Sequence, residues 1–454
     1  MTGLRAFLAI AAAACQGLAG QPVLTLPMAL RQAGAASLQA DLAGLARRSA
    51  QADRDQVQAS YFPDLQFQGG HLNQDQDTVL KGSPITLGLP GLGTVTVPGV
   101  DQPVAQQSSW RYQVTASCLV YDFGRRGSAL SAAKAKQSAV DFQGRDAVAR
   151  VQAEVAARYM ALVDLQARGK VVAQRRQALQ DHLRDAQALF DQGVVARNDL
   201  LRTGVALRAV DDAGRALDNA MISARESLAI ALGLAPEASL SLEVPDSLPA
   251  PPPLPWDEAQ VRLRAPDANL GVKALQAGLE AAGDQVTFRR RDYAPSVVAQ
   301  VGHSYQENQF LLHPDQTTLY LGLSWKLFDG GVRASRINQS RAEEDSVRRE
   351  LLEARRGAEN AAATAFRDFQ QALAELATAR TDVTAAQENL RIVTDQYQQA
   401  YAKSADVLDA ETVLAESRFS LSDRLCAAYA RQAGLLAVMG EDLEAFYVRS
   451  PLEP

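Results

Sequence analysis

The chain has 454 residues and carries 46 Lys and Arg against 52 Asp and Glu, giving a formal net charge of −6. Because charges of both signs are mixed along the chain, no basic stripe is available for a phosphate backbone, which argues against nucleic-acid binding. Three cysteines exclude a disulfide framework, and the four histidines lack metal-ligand spacing. We therefore expect neither a cofactor nor an enzyme.

The first twenty residues have the pattern of an export signal. Arg5 precedes an apolar segment, residues 6–14, and small residues follow up to Gly20. Residues 1–20 are therefore predicted to be a signal peptide that takes the protein out of the cytoplasm. Cys15 directly follows three alanines, as in a lipoprotein signal, although the usual large apolar residue three positions earlier is missing. Lipidation of Cys15 is therefore kept as an alternative.

Proline placement predicts very long helices. All 19 prolines lie in residues 22–103, residues 236–314 or the last four residues. Since proline costs about 3 kcal/mol inside a helix, the two Ala-rich stretches without proline, each longer than 130 residues, favour long helices. The Pro-rich residues 245–255 are predicted to link two halves.

The two proline-free stretches match each other without a gap at an offset of 207 residues. The matches include an aromatic-Asp-x-Gly motif, an aromatic residue and an Asp-x-Leu motif further on, and a final glycine. The matched positions are Tyr121, Asp122, Gly124, Phe190, Asp199, Leu201 and Gly233 against Phe328, Asp329, Gly331, Tyr397, Asp406, Leu408 and Gly440. This pattern indicates an internal duplication, with repeats at 21–244 and 256–448.

Each repeat is predicted to contain a helix, two strands and a long helix pair. The opening helices are expected at 29–60 and 257–291, each ended by a proline. Apolar and polar residues then alternate in two strands per repeat, starting after Pro63 and Pro295 and including a last strand that reaches Leu327. A long Gly- and Pro-rich loop, residues 72–109, separates the first two strands and is expected to be extracellular.

The long helices are predicted at 124–190 and 331–397, each on the order of 100 Å at 1.5 Å per residue. Apolar residues of the second helix recur with coiled-coil spacing, from Phe366 to Tyr397, and Arg380 and Gln387 are expected to take the intervening positions of the seam. This pattern favours helices that pack around a tunnel. A simple two-stranded rod is the alternative.

The four strands have one apolar and one polar face, as in the wall of a transmembrane β-barrel. A soluble sandwich is the alternative, but four strands alone would leave open edges and an uncovered apolar face. Three copies would supply twelve strands. The predicted fold class is therefore α+β, mainly long α-helical coiled coils, with a trimeric helical tunnel and a shared 12-stranded barrel.

Over nearly its whole mature length the chain resembles the TolC-like outer-membrane efflux proteins. The resemblance rests on Ala29-Leu30, on residues 61–63 and 293–295 before the strands, on residues 121–124 and 328–331 after them, and on the repeated helix turns. It implies a homotrimer in outer-membrane lipid, with a periplasmic tunnel that opens when a periplasmic adaptor and an inner-membrane transporter, ABC or proton-driven, dock.

The resemblance also implies roles for residues near the helix turns. Asp406 and Asp409 match the aspartates at the constricted periplasmic entrance, where they would form two rings of carboxylates that favour cations. Asp199 and Tyr397 match residues that hold the tip closed. The matching basic position is Ala402, and Lys403 next to it is kept as the candidate tip-closing cation.

The predicted function is the outer-membrane channel of a tripartite export system, a passive conduit serving either type I protein secretion or small-molecule efflux. A periplasmic coiled-coil adaptor or scaffold without a pore is the alternative.

Overall fold

The computed structural model describes residues 24–91, 93–193, 196–242, 249–399 and 401–449. The predicted signal peptide and Cys15 lie outside these residues. The chain divides into two compact units, each built from both sequence repeats. The helical unit comprises residues up to 48, 138–276 and from 349 onward, and the sheet unit comprises 49–137 and 277–348.

The helices account for most of the described chain. In order they are α1 (Leu26–Ala36), α2 (Leu38–Ala59), α3 (Arg125–Asp191), α4 (Arg197–Ala231), α5 (Glu258–Ala268), α6 (Leu270–Arg290), α7 (Val332–Gln398), α8 (Ser404–Val438) and α9 (Leu443–Arg449). The two longest helices have 67 residues each. The predicted long helices are confirmed to within one residue at each end.

The duplication is visible in the helix boundaries. The starts and ends of α7 and α8 each lie 207 residues after those of α3 and α4. Since the offset found by matching residue types also relates the ends of the folded helices, the repeats share their local structure as well as their sequence pattern.

The opening helix of each repeat is broken, and the prediction of one continuous helix is wrong in both. The breaks lie at Ser37 and Asn269, which act as N-caps: the Ser37 hydroxyl accepts the Ala40 N–H at 3.2 Å, and the Asn269 side chain accepts the Val272 N–H at 3.1 Å. Side-chain acceptors of this kind start new helices because they satisfy free backbone N–H groups.

In each repeat, the glycine that follows the second long helix packs against the break in the opening helix. Gly233 and Gly440 follow the ends of α4 and α8 with φ of +73° and +64°. A Cβ on Gly233 would lie 2.1 Å from the Ala36 oxygen, and one on Gly440 would lie 2.6 Å from the Ala268 oxygen. The matched glycines therefore permit a left-handed turn and a close backbone approach at once.

The sheet unit contains one four-stranded antiparallel sheet. Its strands are β1 (Asp64–Asn73), β6 (Ser108–Tyr121), β7 (Ser296–Gln306) and β8 (Asp315–Ser324), in the order β1-β6-β7-β8. The first three strands are confirmed. The last strand ends at Ser324 rather than at Leu327, and beyond it the Trp325 indole donates a hydrogen bond to the Tyr293 oxygen at 3.0 Å.

The long segment between β1 and β6 forms two small sheets and is not an irregular loop. Strand β2 (Thr78–Leu80) pairs with β5 (Gln102–Ala105), and β3 (Ile85–Leu89) pairs with β4 (Gly93–Val97), both antiparallel. Gly and Pro residues obscured these strands in the sequence, because they are typical of turns and depleted in strands.

A partly buried ion pair, which the sequence did not predict, lies where each repeat leaves the sheet. Asp122 Oδ2 accepts the Arg126 backbone N–H at 2.7 Å and its Nε at 3.2 Å. Asp329 does the same with Arg333, at 3.1 and 2.7 Å. The carboxylates cap the long helices at their N-termini, where the helix dipole favours negative charge.

The core of the helical unit lies near the middle of α3 and toward the ends of α4 and α8. The largest cluster of buried apolar residues joins α1, α3, α4, α8 and α9, and its biggest fully buried side chains include Tyr429, Tyr447, Met160 and Leu162. The predicted linker contributes to this region: Tyr429 and Gln432 donate hydrogen bonds to the Pro249 and Pro252 oxygens at 3.2 and 2.6 Å.

The seam of α7 is confirmed at four of its seven apolar positions, whereas Leu373, Val383 and Leu390 are half-buried and its two polar positions are wrong. Phe369, Leu376 and Tyr397 are buried, whereas Arg380 and Gln387 are exposed. The intervening seam positions are taken instead by alanines, at 372, 379 and 386. Alanine lets neighbouring helices approach closely, and long polar side chains reach water more easily from the adjacent positions.

Candidate functional site at the helix turns

The helix turns between α3 and α4 and between α7 and α8 place the predicted site residues at one end of the long helices. The first turn is marked by Gly193 with φ of +76°. Asp199 is the third residue of α4, and Asp406 is the third residue of α8. Both aspartates therefore lie in first helical turns, where free backbone N–H groups favour a carboxylate.

Asp406 and Asp409 are both exposed in the single chain. Asp406 Oδ2 accepts the Lys403 backbone N–H at 2.9 Å, so this carboxylate also caps its own helix. The two aspartates are three positions apart, which places them on one face of α8. The structure thus presents two neighbouring carboxylates on a surface that the chain itself leaves uncovered.

A partly buried polar cluster lies at the start of the helix that carries these aspartates. His182 of α3 has its Nε2 atom 2.9 Å from the hydroxyl of Ser404, the first residue of α8, in a hydrogen bond whose direction depends on the tautomer. The His182 ring also tilts against the Tyr397 ring, with centroids 5.0 Å apart. The cluster therefore ties α3 to the start of the helix that carries Asp406 and Asp409.

The electrostatics of the cluster follow from burial. Burial lowers the pKa of His182, although Asp185 and Asp199 oppose that shift. Burial also raises the pKa of Tyr397, and the same two carboxylates add to that effect. Near neutral pH the imidazole and the phenol are therefore both uncharged.

Asp199 lies close enough to His182 and Tyr397 for its charge to affect the pKa of both, and the role of Asp199 and Tyr397 in closing the tip stays a prediction. Lys403 precedes α8 and is exposed. Sequence reasoning missed His182 and Ser404. At the offset of 207, His182 corresponds to Asn389 and Ser404 to Arg197, so a difference between the repeats was the available signal.

A second candidate surface is the apolar face of the four-stranded sheet. Paired residues on neighbouring strands share a face, and the large apolar members of this one are exposed in the single chain. They are Leu65, Phe67, Trp110, Tyr112, Val114, Val301, Tyr305, Leu319, Leu321 and Leu323. Tyr112 stacks with Phe67, Trp110 and Tyr305 near the end of the sheet that carries the β2–β5 segment.

Two features of the described residues bear on other kinds of site. None of the described helices combines the length and apolar character that a membrane crossing requires. Within the same residues, no group of three or more His, Cys, Asp or Glu side chains is placed to hold a metal ion.

Comparison with known proteins identifies the family. The family pattern described as "Outer membrane efflux protein" matches residues 30–234 and 263–441. Protein CyaE of Bordetella pertussis (strain Tohama I) is 30% identical over 270 residues. That alignment spans 58% of this chain and 56% of CyaE, so the chain matches little more than half the length of this relative.

Solved structures share the fold. The outer-membrane channel OprN is 20% identical with a TM-score of 0.72, covering 92% of this chain and 90% of its own. The outer membrane protein VceC from Vibrio cholerae is 17% identical with a TM-score of 0.70, covering 92% and 96%. The chain therefore belongs to the outer membrane efflux protein family, whose members are channels. The match confirms the predicted fold of long helices with antiparallel strands and the outer-membrane location with a periplasmic helical extension.

Proposed function

We propose that this chain is one third of the outer-membrane channel of a tripartite export system. The observation that carries the proposal is the four-stranded sheet, whose exposed apolar face has nothing to cover it in the single chain. In this sheet β1 and β8 are the edges, and an open edge is not tolerated in a membrane. Joining β1 of one copy to β8 of the next removes every edge, and three copies give a 12-stranded barrel.

The barrel orientation follows from the two faces of the sheet. Lipid would contact the face with Leu319, Leu321 and Leu323, and water would fill the side with residues such as Arg111 and Gln113. The aromatic group around Tyr112 would then lie at the outer membrane–water interface, where tyrosine and tryptophan are favoured.

In the same trimer, Asp406 and Asp409 would form two rings of three carboxylates at the periplasmic entrance. Exposure of both residues in the single chain supports this role, because a pore-lining carboxylate needs contact with water. The capping bond from the Lys403 N–H would fix the orientation of Asp406. Asp199 and Tyr397 would hold the tip closed through the partly buried cluster with His182.

The experiment is single-channel recording in a planar bilayer. Asp406→Ala with Asp409→Ala should lower the cation selectivity and raise the concentration of a multivalent cation needed to block the current, because six carboxylates leave the entrance. A matched control is Asp382→Ala with Asp395→Ala, which removes the same charge from exposed positions of α7. Equal effects of the two variants would remove Asp406 and Asp409 from the pore lining.

The scaffold alternative is separated by fractionation. A channel should be found in the outer membrane and leave it only with detergent, as a trimer. Extraction without detergent as a monomer or dimer would refute the channel and support a periplasmic scaffold.

The partners proposed for this channel are a periplasmic adaptor and an inner-membrane transporter, either ABC-type or proton-driven. The cargo is either a secreted protein or a small molecule. Deleting the chain and measuring both culture-supernatant proteins and drug sensitivity distinguishes the two: loss of a secreted protein without a change in sensitivity assigns type I secretion, and the reverse assigns efflux.

A further inference from the structure

The segment between β1 and β6 is anchored at its base. The Asn308 side chain, in the connection between β7 and β8, donates a hydrogen bond to the Val104 oxygen at 2.8 Å, and the Gln309 N–H donates to the Gln106 side chain at 3.1 Å. Asn308 is itself only 7% exposed. The base of the segment is therefore fixed to the sheet of its own chain.

Above this base the chain passes through a narrow neck. A Cβ on Gly99 would lie 2.0 Å from the Gly82 oxygen, and one on Gly82 would lie 2.4 Å from the Val100 oxygen. The Gly82 N–H also donates a hydrogen bond to the Asp101 carboxylate at 3.0 Å. Residues 83–98 thus enter and leave at a single point and project as a separate hairpin, formed by β3 and β4.

The hairpin has one apolar and one polar face. Ile85 pairs with Val97, and Leu87 pairs with Val95, so these side chains share a face, whereas threonines and Gly88 occupy the other. The four apolar side chains are 47–63% exposed in the single chain. Residues 85–97 contain no charged side chain. An uncovered apolar face of this kind marks a binding surface.

A second exposed apolar patch lies in the connection between β7 and β8. It consists of Phe310, Leu311 and Leu312, which are 37%, 44% and 89% exposed. Strand β1, from which the hairpin segment begins, and strand β8, which follows this connection, are opposite edges of the sheet. When β1 of one chain joins β8 of the next, the hairpin segment of the first chain and the apolar connection of the second come to the same junction.

We propose that the hairpin of each chain packs its apolar face on Phe310, Leu311 and Leu312 of the neighbouring chain, forming a clasp between subunits. This inference rests on the proposed trimer. It explains both exposed patches with one contact, which is repeated three times by symmetry. The membrane is the less favourable partner, because residues 73–108 carry three aspartates against one lysine and an anionic lipid surface would repel them.

Cysteine cross-linking tests the contact. Leu87→Cys with Leu312→Cys, in the full-length protein carrying Cys118→Ala, should give covalent dimers and trimers on non-reducing denaturing gels after oxidation. The matched control is Thr86→Cys with Leu312→Cys, which places the thiol on the polar face of the hairpin and should cross-link at least tenfold less.

Three results would overturn the clasp. Equal cross-linking of the two variants would mean that the apolar face is not the contact surface. Covalent dimers from Leu87→Cys alone would mean that hairpins meet each other, and quenching of a fluorophore at position 87 by brominated lipid would assign the face to the membrane.

Stability of the trimer provides a second test. Deleting residues 83–98 joins Gly82 directly to Gly99, whose backbones already lie together. The deletion and Leu312→Asp should each lower the temperature at which the trimer dissociates in dodecyl sulfate, and combining them should lower it no further. Additive shifts would refute the shared contact. If the unmodified chain forms no trimer, the proposed function fails; if it forms a trimer without these effects, only the clasp fails.

Discussion

Replacing Gly233 by alanine tests the close packing of the end of α4 against the break between α1 and α2. The residue has φ of +73°, which costs an alanine about 1 kcal/mol, and the new Cβ would lie 2.1 Å from the Ala36 oxygen. Relieving that overlap requires the backbone at the break between α1 and α2 to move, and overpacking of this kind costs about 1–3 kcal/mol. We expect a total loss of about 2–4 kcal/mol in the free energy of unfolding.

Gly193→Ala is the matched control. Gly193 has nearly the same φ, +76°, and also follows a long helix, but among the described residues no atom beyond its chain neighbours lies within 4 Å of its Cβ position. Its substitution should therefore cost only the backbone term, about 1 kcal/mol.

Circular dichroism at 222 nm, followed during heating of the detergent-solubilised protein, measures the difference. At roughly 2 °C per kcal/mol, Gly233→Ala should lower the melting temperature by about 4–8 °C and Gly193→Ala by about 2 °C. Equal shifts would refute the close approach at Gly233, because the left-handed backbone would then explain both.

Three further predictions concern single side chains. Because burial lowers the pKa of His182, the unfolded chain binds a proton more readily than the folded one, and stability should fall as the pH drops below about 6.5. When melting is measured from pH 7 to 5, the His182→Gln variant should lose less stability than the unmodified protein. An unchanged pH profile would contradict this. Asp122→Ala removes the carboxylate that pairs with Arg126 and accepts its backbone N–H, but the guanidinium keeps its hydrogen bonds to the Ser60 and Val120 oxygens, so the change should cost about 2 kcal/mol in urea unfolding. Asp345→Ala in an exposed pair should cost less than about 0.5 kcal/mol. Burial raises the pKa of the Cys426 thiol to about 12, so little of the reactive thiolate is present at pH 8. Alkylation of Cys426 by iodoacetamide, measured by mass spectrometry, should therefore be about a thousandfold slower in the folded than in the urea-unfolded protein. A similar rate in both would show that the thiol is accessible.

The long helices and the duplication could be predicted because their signals are local and repeated. The proline-free stretches indicated long helices, and the matched motifs at their ends placed α3 and α7 to within one residue. Alternation of apolar and polar residues located three of the four main strands, since side chains in a strand point to opposite faces in turn.

The breaks at Ser37 and Asn269 had a sequence signal that was overlooked. Serine and asparagine are favoured N-caps, but a cap residue inside an Ala-rich stretch also occurs within continuous helices. What selects the break is the close approach of Gly233 and Gly440, which are about 200 and 170 residues away along the chain. A short window of sequence contains no information about such a contact.

Part of the candidate site could likewise be predicted from local sequence, and part could not. The positions of Asp199, Tyr397, Asp406 and Asp409 at helix turns followed from the sequence motifs. The partnership of His182 with the start of α8 did not, because 222 residues separate it from Ser404.

The sequence by itself therefore determined the two repeats, the length of the helices and the amphipathic strands, all of which depend on residues near each other in the chain, and the export signal stays a prediction. Only the tertiary structure decided where helices break, which alanines form the seam, how the long segment before β6 folds, and which buried groups surround the helix turns. These features arise from contacts between distant segments, where steric fit and the burial of polar groups, rather than local propensity, set the lowest free energy.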